Sequence, residues 1–156
     1  DELEVPIETL CELMITISDN SATNLLIKRI GRKELNKAFI GMGLSVTKIN
    51  RLLFDAKAAA QGVENQASPK EMGMLLEKIY KREFVDEKTS AFIEGMLLKQ
   101  QINHKIPGII GSATSIAHKT GEDGGISNDV AIVYAPQPFI LCFFPTKLSF
   151  LISKFL

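Results

Sequence analysis

The sequence has no tryptophan, only two cysteines and two histidines, and no surplus of charge of either sign. Each shortage excludes something. Cys11 and Cys142 make neither a disulfide framework nor a zinc knuckle, and read as part-buried free thiols. His104 and His118 lack the carboxylate-rich spacing of a zinc site, so neither metal nor cofactor is expected. His104 reads as solvated and His118 as packed in a sheet. Lysine plus arginine equals aspartate plus glutamate at 18 each. Bulk charge therefore draws the chain neither to nucleic acid nor to an anionic membrane. No apolar run approaches the roughly 20 residues that cross a bilayer. The purest, Phe139 to Phe144, sits in a tail divided by Pro136, Pro138 and Pro145. The start, Asp1-Glu2-Leu3-Glu4, is acidic and leads into no apolar segment, so no signal peptide is read, and there is no initiator methionine. Repeats and low-complexity tracts are absent. Gly121, Gly124 and Gly125 precede no helix start, so they cradle no phosphate. Finally, residues 1–17 contain no serine.

What is present suits one globular domain, or part of a larger one: 156 residues, 46% hydrophobic and 23% charged. Helical spacing of Leu10, Leu13, Met14 and Ile17 after Pro6 predicts a first helix ending near Ser18. A second follows at once, capped by Asn20 or Ser21 and stopped by Gly31. A third runs from about Lys33 to Met42. Residues 44–67 show no period, yet the apolar cluster Arg51-Leu52-Leu53-Phe54-Asp55 argues for a packed loop. Ser68-Pro69-Lys70-Glu71 is a helix start in which Ser caps and Glu reaches back. Asp86 caps the next helix. Pro107-Gly108 and Gly111 make a turn-rich link.

After Thr114 the pattern becomes extended. Strands are predicted over Ser115–Thr120, Val130–Tyr134 and Phe139–Phe144, with turns at 122–125 and 135–138. Lys147 to Leu156 reads as the stub of a helix. The fold class is α+β: a helical subdomain over 1–113, then part of an antiparallel sheet over 114–156. The last predicted strand is apolar on both faces but has one neighbour in the chain. An edge of that kind invites pairing. A complementing fragment or a second copy is the expected partner for 139–144.

Two polar stretches carry the chemistry. Ser18-Asp19-Asn20 ends the first helix, and His118-Lys119-Thr120-Gly121 lies about 100 residues on. Each alone is a weak signal, since Ser, Asp and Asn collect at helix ends for capping reasons. Together, in the order helix, Ser-Asp-Asn, helix, long loop, two helices, Lys-Thr-Gly strand, they resemble the penicillin-recognising serine hydrolases, in particular class A β-lactamases. The text from Leu10 to Leu26 and the return at Asn128-Asp129-Val130-Ala131 resemble that family as well.

The resemblance implies hydrolysis of β-lactams through a serine acyl-enzyme, the chemistry of antibiotic resistance, with a small β-lactam or peptide as substrate. It implies that Ser18 passes a proton to the leaving nitrogen and that Lys119 places positive charge beside it. Asn20 would bond the substrate amide and Thr120 its carboxylate. The Glu122 N–H, after Gly121, would face the oxyanion. Asp19 would brace the turn. A secreted or periplasmic bacterial location is implied by the family alone. Two departures stand out. The family's nucleophile lies in a Ser-x-x-Lys motif before Ser-Asp-Asn, and no serine precedes Ser18. The chain is therefore expected to be the C-terminal part of a larger protein and inactive alone. Also, Arg51 matches the family's loop arginine, but Leu52-Leu53-Phe54 stands where a water-activating glutamate is expected. Asp55 and Glu64 are the nearby carboxylates, read as loop-bracing. Slow deacylation would follow, as in a penicillin-binding peptidase or esterase-like relative.

Overall fold

A computed structural model describes residues 4–145 and 149–154. The chain is α+β. Helices α1 (Ile7–Thr16), α2 (Asn20–Ile30) and α3 (Arg32–Gly41) come first, then α4 (Ala56–Ala60), α5 (Pro69–Tyr80), α6 (Glu87–Leu97) and α7 (Ile106–Ile110). Strands β1 (Ile116–Asp123), β2 (Ile126–Val133), β3 (Phe139–Phe144) and β4 (Ser149–Lys154) follow, forming one antiparallel sheet in chain order.

Caps set the helix starts. Asp19, not Asn20 or Ser21, caps α2: its backbone is extended and its carboxylate accepts the Ala22 N–H at 2.6 Å. Asn20 is already helical and its side chain is free for other work. Asp86 caps α6 by accepting from Thr89 N–H at 2.6 Å. Ser68 caps α5 with Pro69 behind it. Glu71 does not reach back as expected. It accepts the N–H groups of Val46 and Thr47, both at 2.8 Å, and the Thr47 hydroxyl at 2.6 Å. Two amides and a hydroxyl satisfy a carboxylate better than the single N–H of a capping box.

The sheet divides the core in two, because successive strand residues face opposite ways. On one face Leu76 and Ile79 of α5 and Leu97 of α6 pack on Ala117, Ile132, Ile140 and Cys142. On the other, Ile106 of α7 meets Ile116, Ala131 and Val133. Both faces of β3 are thus engaged, as its apolar run requires. Cys142 is buried and Cys11 partly so, and both are free thiols. The β1–β2 turn is tighter than expected, since Asp123 pairs with Ile126 and only Gly124 and Gly125 turn. Gly125 sits at φ +80°, the left-handed geometry a two-residue hairpin needs.

Three expectations are corrected. The tail is not a helix stub: Ser149–Lys154 is a strand, with Phe139 opposite Lys154 and Phe144 opposite Ser149. The rest of that expected stub, 147, 148, 155 and 156, lies outside the described residues, as does Asp1-Glu2-Leu3. An unpaired apolar strand is a stronger demand than the weak helical spacing of its neighbour, and a ladder answers it. In consequence β3 is an inner strand, with neighbours β2 and β4 inside the chain. The link at 106–110 is a short helix, α7, with Pro107 in its first turn, where its missing N–H costs nothing.

The loop at 44–67 is ordered, but not by its apolar cluster. Asn36 takes Ile49 N–H at 2.8 Å and donates to Ile49 O at 3.0 Å. Asn65 accepts from Asn50 and Arg51 N–H groups. Buried Arg51 pairs with Glu64 at 2.7 Å and Asp123 at 3.2 Å. Polar clamps from four directions hold this loop, while Phe54 points into solvent, 80% exposed.

Candidate active site

The site begins where α1 ends. Ile17 closes the helix and Ser18 takes the left-handed conformation, φ +58°. That geometry usually falls to glycine at a helix C-terminus. Serine there costs about 1 kcal/mol, the kind of strain that collects at functional positions. The last turn is held from below. Buried Gln100, just past α6, donates to Ile15 O at 2.5 Å, and Gln101 N–H donates to Thr16 O at 2.9 Å. Nothing in the sequence marked Gln100, which lies where the helical pattern breaks.

Lys119 approaches from β1. Its Nζ donates to Ser18 Oγ at 2.8 Å and to Thr120 O at 2.6 Å. Burial pushes this ammonium down to about 8. Asp129 opposes that, Lys105 adds to it and Glu122 opposes it. An amine in this range exchanges protons with a hydroxyl near neutral pH far more readily than an ordinary lysine.

Behind Lys119, on the opposite face of β1, lies a buried polar cluster. His118 Nδ1 is 3.1 Å from Asp129 Oδ1, and its Nε2 is 3.0 Å from Asn103 Oδ1. The other Asp129 oxygen accepts the Ile106 N–H at 3.0 Å. This cluster pins the start of α7 to the sheet and so places Lys105. The largely buried Lys105 ammonium donates to the carbonyls of Gly121 and Asn128 and pairs with Glu122 at 3.0 Å. Exposed His104 also lies 3.4 Å from Glu122. His118 thus has a packing place in the sheet, and Lys105 is a cation beside the Lys-Thr-Gly strand that sequence reading passed over. Its signal was weak: one lysine in a link of no period.

A cavity of about 280 Å³ opens between the loop over 44–67, the start of α2 and the end of β1. Asn20 and Glu122 line it, with Leu53, Phe54, Ala59 and Asp123. Of the residues singled out in the sequence, the fold brings together Ser18 and Lys119, and sets Asn20 and Glu122 in the lining of this cavity. Thr120 is nearly buried, opposite Asp129 in the ladder, and does not line the cavity. Gly121 lies between them. β1 is an edge strand, and every second N–H along such an edge is free of its partner strand. Each of the two loop carboxylates is engaged through one oxygen. Glu64 pairs with Arg51, and Asp55 caps α4 by accepting from Ala58 N–H at 3.0 Å. Asn24 was missed as a site element. Its carboxamide clamps both Leu53 N–H (2.9 Å) and Leu53 O (3.0 Å), joining the loop to α2. The one Ser-x-x-Lys in the text, Ser45-Val46-Thr47-Lys48, is in a loop, and its Ser45 hydroxyl donates to Glu71.

A strand lysine bonded to a hydroxyl at a helix end is a specific arrangement, and the chain that carries it is similar in sequence and fold to known proteins. β-Lactamase ROB-1 of Haemophilus influenzae is 28% identical over 92% of this chain and 49% of its own length. A mutant of PBP-A, solved as an acyl-enzyme complex with penicillin G, is 34% identical with a TM-score of 0.76, covering 85% of this chain and 48% of that one. A β-lactamase from Sphaerobacter thermophilus is 28% identical with a TM-score of 0.82, over 92% and 56%. The chain spans about half the length of the curated relatives it matches. The model of the β-lactamase enzyme family matches residues 1–151. This chain belongs to the β-lactamase enzyme family, with the class A enzymes as the branch it resembles.

Proposed function

We propose that this chain forms one wall of the active site of a serine hydrolase that opens β-lactam rings through an acyl-enzyme. The observation that carries the reading is the 2.8 Å hydrogen bond from Lys119 Nζ to Ser18 Oγ. In this reading a Ser-x-x-Lys serine outside these residues gives its proton to the lysine of that motif as it attacks the lactam carbonyl. The ring C–N bond breaks as the tetrahedral intermediate collapses. Ser18 gives its proton to the leaving nitrogen, and Lys119 restores it while offsetting the negative charge. Asn20 bonds the substrate's amide side chain. The free edge of β1 holds the carboxylate, and the Glu122 N–H faces the oxyanion. Export from the bacterial cell belongs to the same proposal. Among the described residues no helix is long and apolar enough to cross a membrane.

A second reading concerns the fate of the acyl-enzyme. Asp55 uses one carboxylate oxygen to cap α4 and Glu64 uses one to hold Arg51, which supports a loop-bracing role for both. That favours slow deacylation, the behaviour of a penicillin-binding peptidase rather than a fast β-lactamase. The test uses nitrocefin colour and intact mass after benzylpenicillin. It is run on residues 1–156 and on the protein expressed with the coding sequence upstream of Asp1. The expected result is a penicilloyl adduct on the longer protein and none on residues 1–156. Turnover by residues 1–156 alone overturns the placement of the nucleophile. No adduct on either overturns the function.

A further inference from the structure

Phe54 is out of place by ordinary packing rules. It is 80% exposed, and its backbone lies at φ +61°, a conformation unusual for a bulky residue. The chain on either side prevents it from relaxing. Leu53 is clamped through both N–H and carbonyl by Asn24, and Asp55 is fixed as the cap of α4. Phe54's own carbonyl accepts the Ala56 N–H at 2.9 Å. The loop is thus held so that an aromatic ring stands at the cavity wall instead of in the core. Exposure alone means little, since single surface apolar residues are common. Here it coincides with backbone strain and with a cavity.

The chemistry of the surroundings says what the ring faces. The cavity lining beside Phe54 includes Leu53, Ala56 and Ala59. Of its charged members, Arg51 pairs with Asp123 and Glu122 with Lys105, while Asp55 caps α4. Nothing there asks for an ionic ligand. We propose that Phe54 is a specificity-determining residue that packs against an aromatic or bulky apolar acyl group on the substrate's amide. This deepens the reading given above and rests on it, because Asn20, on the same cavity, is the partner assigned to that amide.

Two probes test it on the full 156-residue chain: N-phenylacetylglycine and N-acetylglycine. Both carry an amide and a carboxylate, and they differ by the ring. Binding is followed by NMR titration, read at the Asn20 and Lys119 amides. The phenylacetyl probe is expected to bind roughly threefold to tenfold tighter, the range of one aromatic contact. Phe54→Ala should abolish that preference and leave acetyl binding unchanged. Phe54→Tyr should retain it. Because the side chain lies in solvent, these variants leave the core intact, which an unchanged melting curve verifies. Equal affinity for the two probes, or a preference that survives Phe54→Ala, overturns the role of Phe54 and leaves the proposed function standing. No response at Asn20 and Lys119 to either probe overturns the assignment of this cavity to the substrate's amide side chain, and with it the role of Phe54, while the adduct test decides the proposed function.

Discussion

At the scale of single residues, the site depends on placing one ammonium where water is scarce. Lys119 is held near 8 by burial, well below an unfolded lysine at 10.5. Between those values the unfolded chain binds a proton that the folded chain does not, so folding stability rises with pH across that window. Below about 8 both states are protonated and the site carries its full desolvation cost. Denaturant melts at several pH values should show this rise, and Lys119→Met should flatten it. A neighbouring prediction concerns Asp129. Replacing it with Ala leaves the His118 ring and the Ile106 N–H without their buried partner. The expected loss is about 2–3 kcal/mol in urea unfolding, the cost of unmade buried hydrogen bonds. Sequence reading singled out Ser18, Asn20 and Lys119 because the residue order of two short motifs carries them. Asp129, Asn24, Gln100 and Lys105 were not legible as site elements. They act through contacts between 11 and 85 positions away, which no single helical or strand period encodes.

At the scale of elements, the loop over 44–67 decides the character of the cleft. Hydrophobic patterning predicted order there for the wrong reason. The apolar cluster at 51–55 leaves Phe54 in solvent, and carboxamides and carboxylates supply the order instead. Glu71 shows the physics. Burial alone raises its carboxyl, but bonds from Thr47 and Val46 outweigh that and hold it below its ordinary value. The stability it adds is present above the usual carboxylate range and is lost as pH falls through its depressed folded value. Amide exchange at Val46 and Thr47 should therefore quicken on acidification, after correction for intrinsic rates. Glu71→Ala should quicken it at neutral pH, on the order of tenfold for one lost clamp. Helix starts were the most legible elements, since Ser68-Pro69 and Asp86 advertise their caps. The tail was the least. Leu148, Leu151, Ile152 and Phe155 suggested a helix, but β3 presents a whole row of backbone groups, and Ser149–Lys154 pairs with it.

At the scale of the whole molecule, the fold delivers a helix end and a strand edge to one point. α6 holds α1 from below through Gln100 and Gln101, and α7 holds β1 from behind through Asp129. Neither support touches the Ser18–Lys119 bond; each holds the element from which one of its two partners projects. The α+β class was legible because the hydrophobic period changes from helical to alternating near Thr114. The sheet's fourth strand was not, because strand pairing is a property of two distant segments at once. The central claim is that Ser18 and Lys119 work as one proton-handling unit. It is tested by the rate of acylation by benzylpenicillin in the protein carrying its nucleophile, for Ser18→Ala, Lys119→Ala and the double variant. Each single change should slow acylation by roughly a hundredfold or more, with the double variant little slower than the worse single. Losses that multiply in the double variant, or a Ser18→Ala protein that acylates at the parent rate, would contradict it.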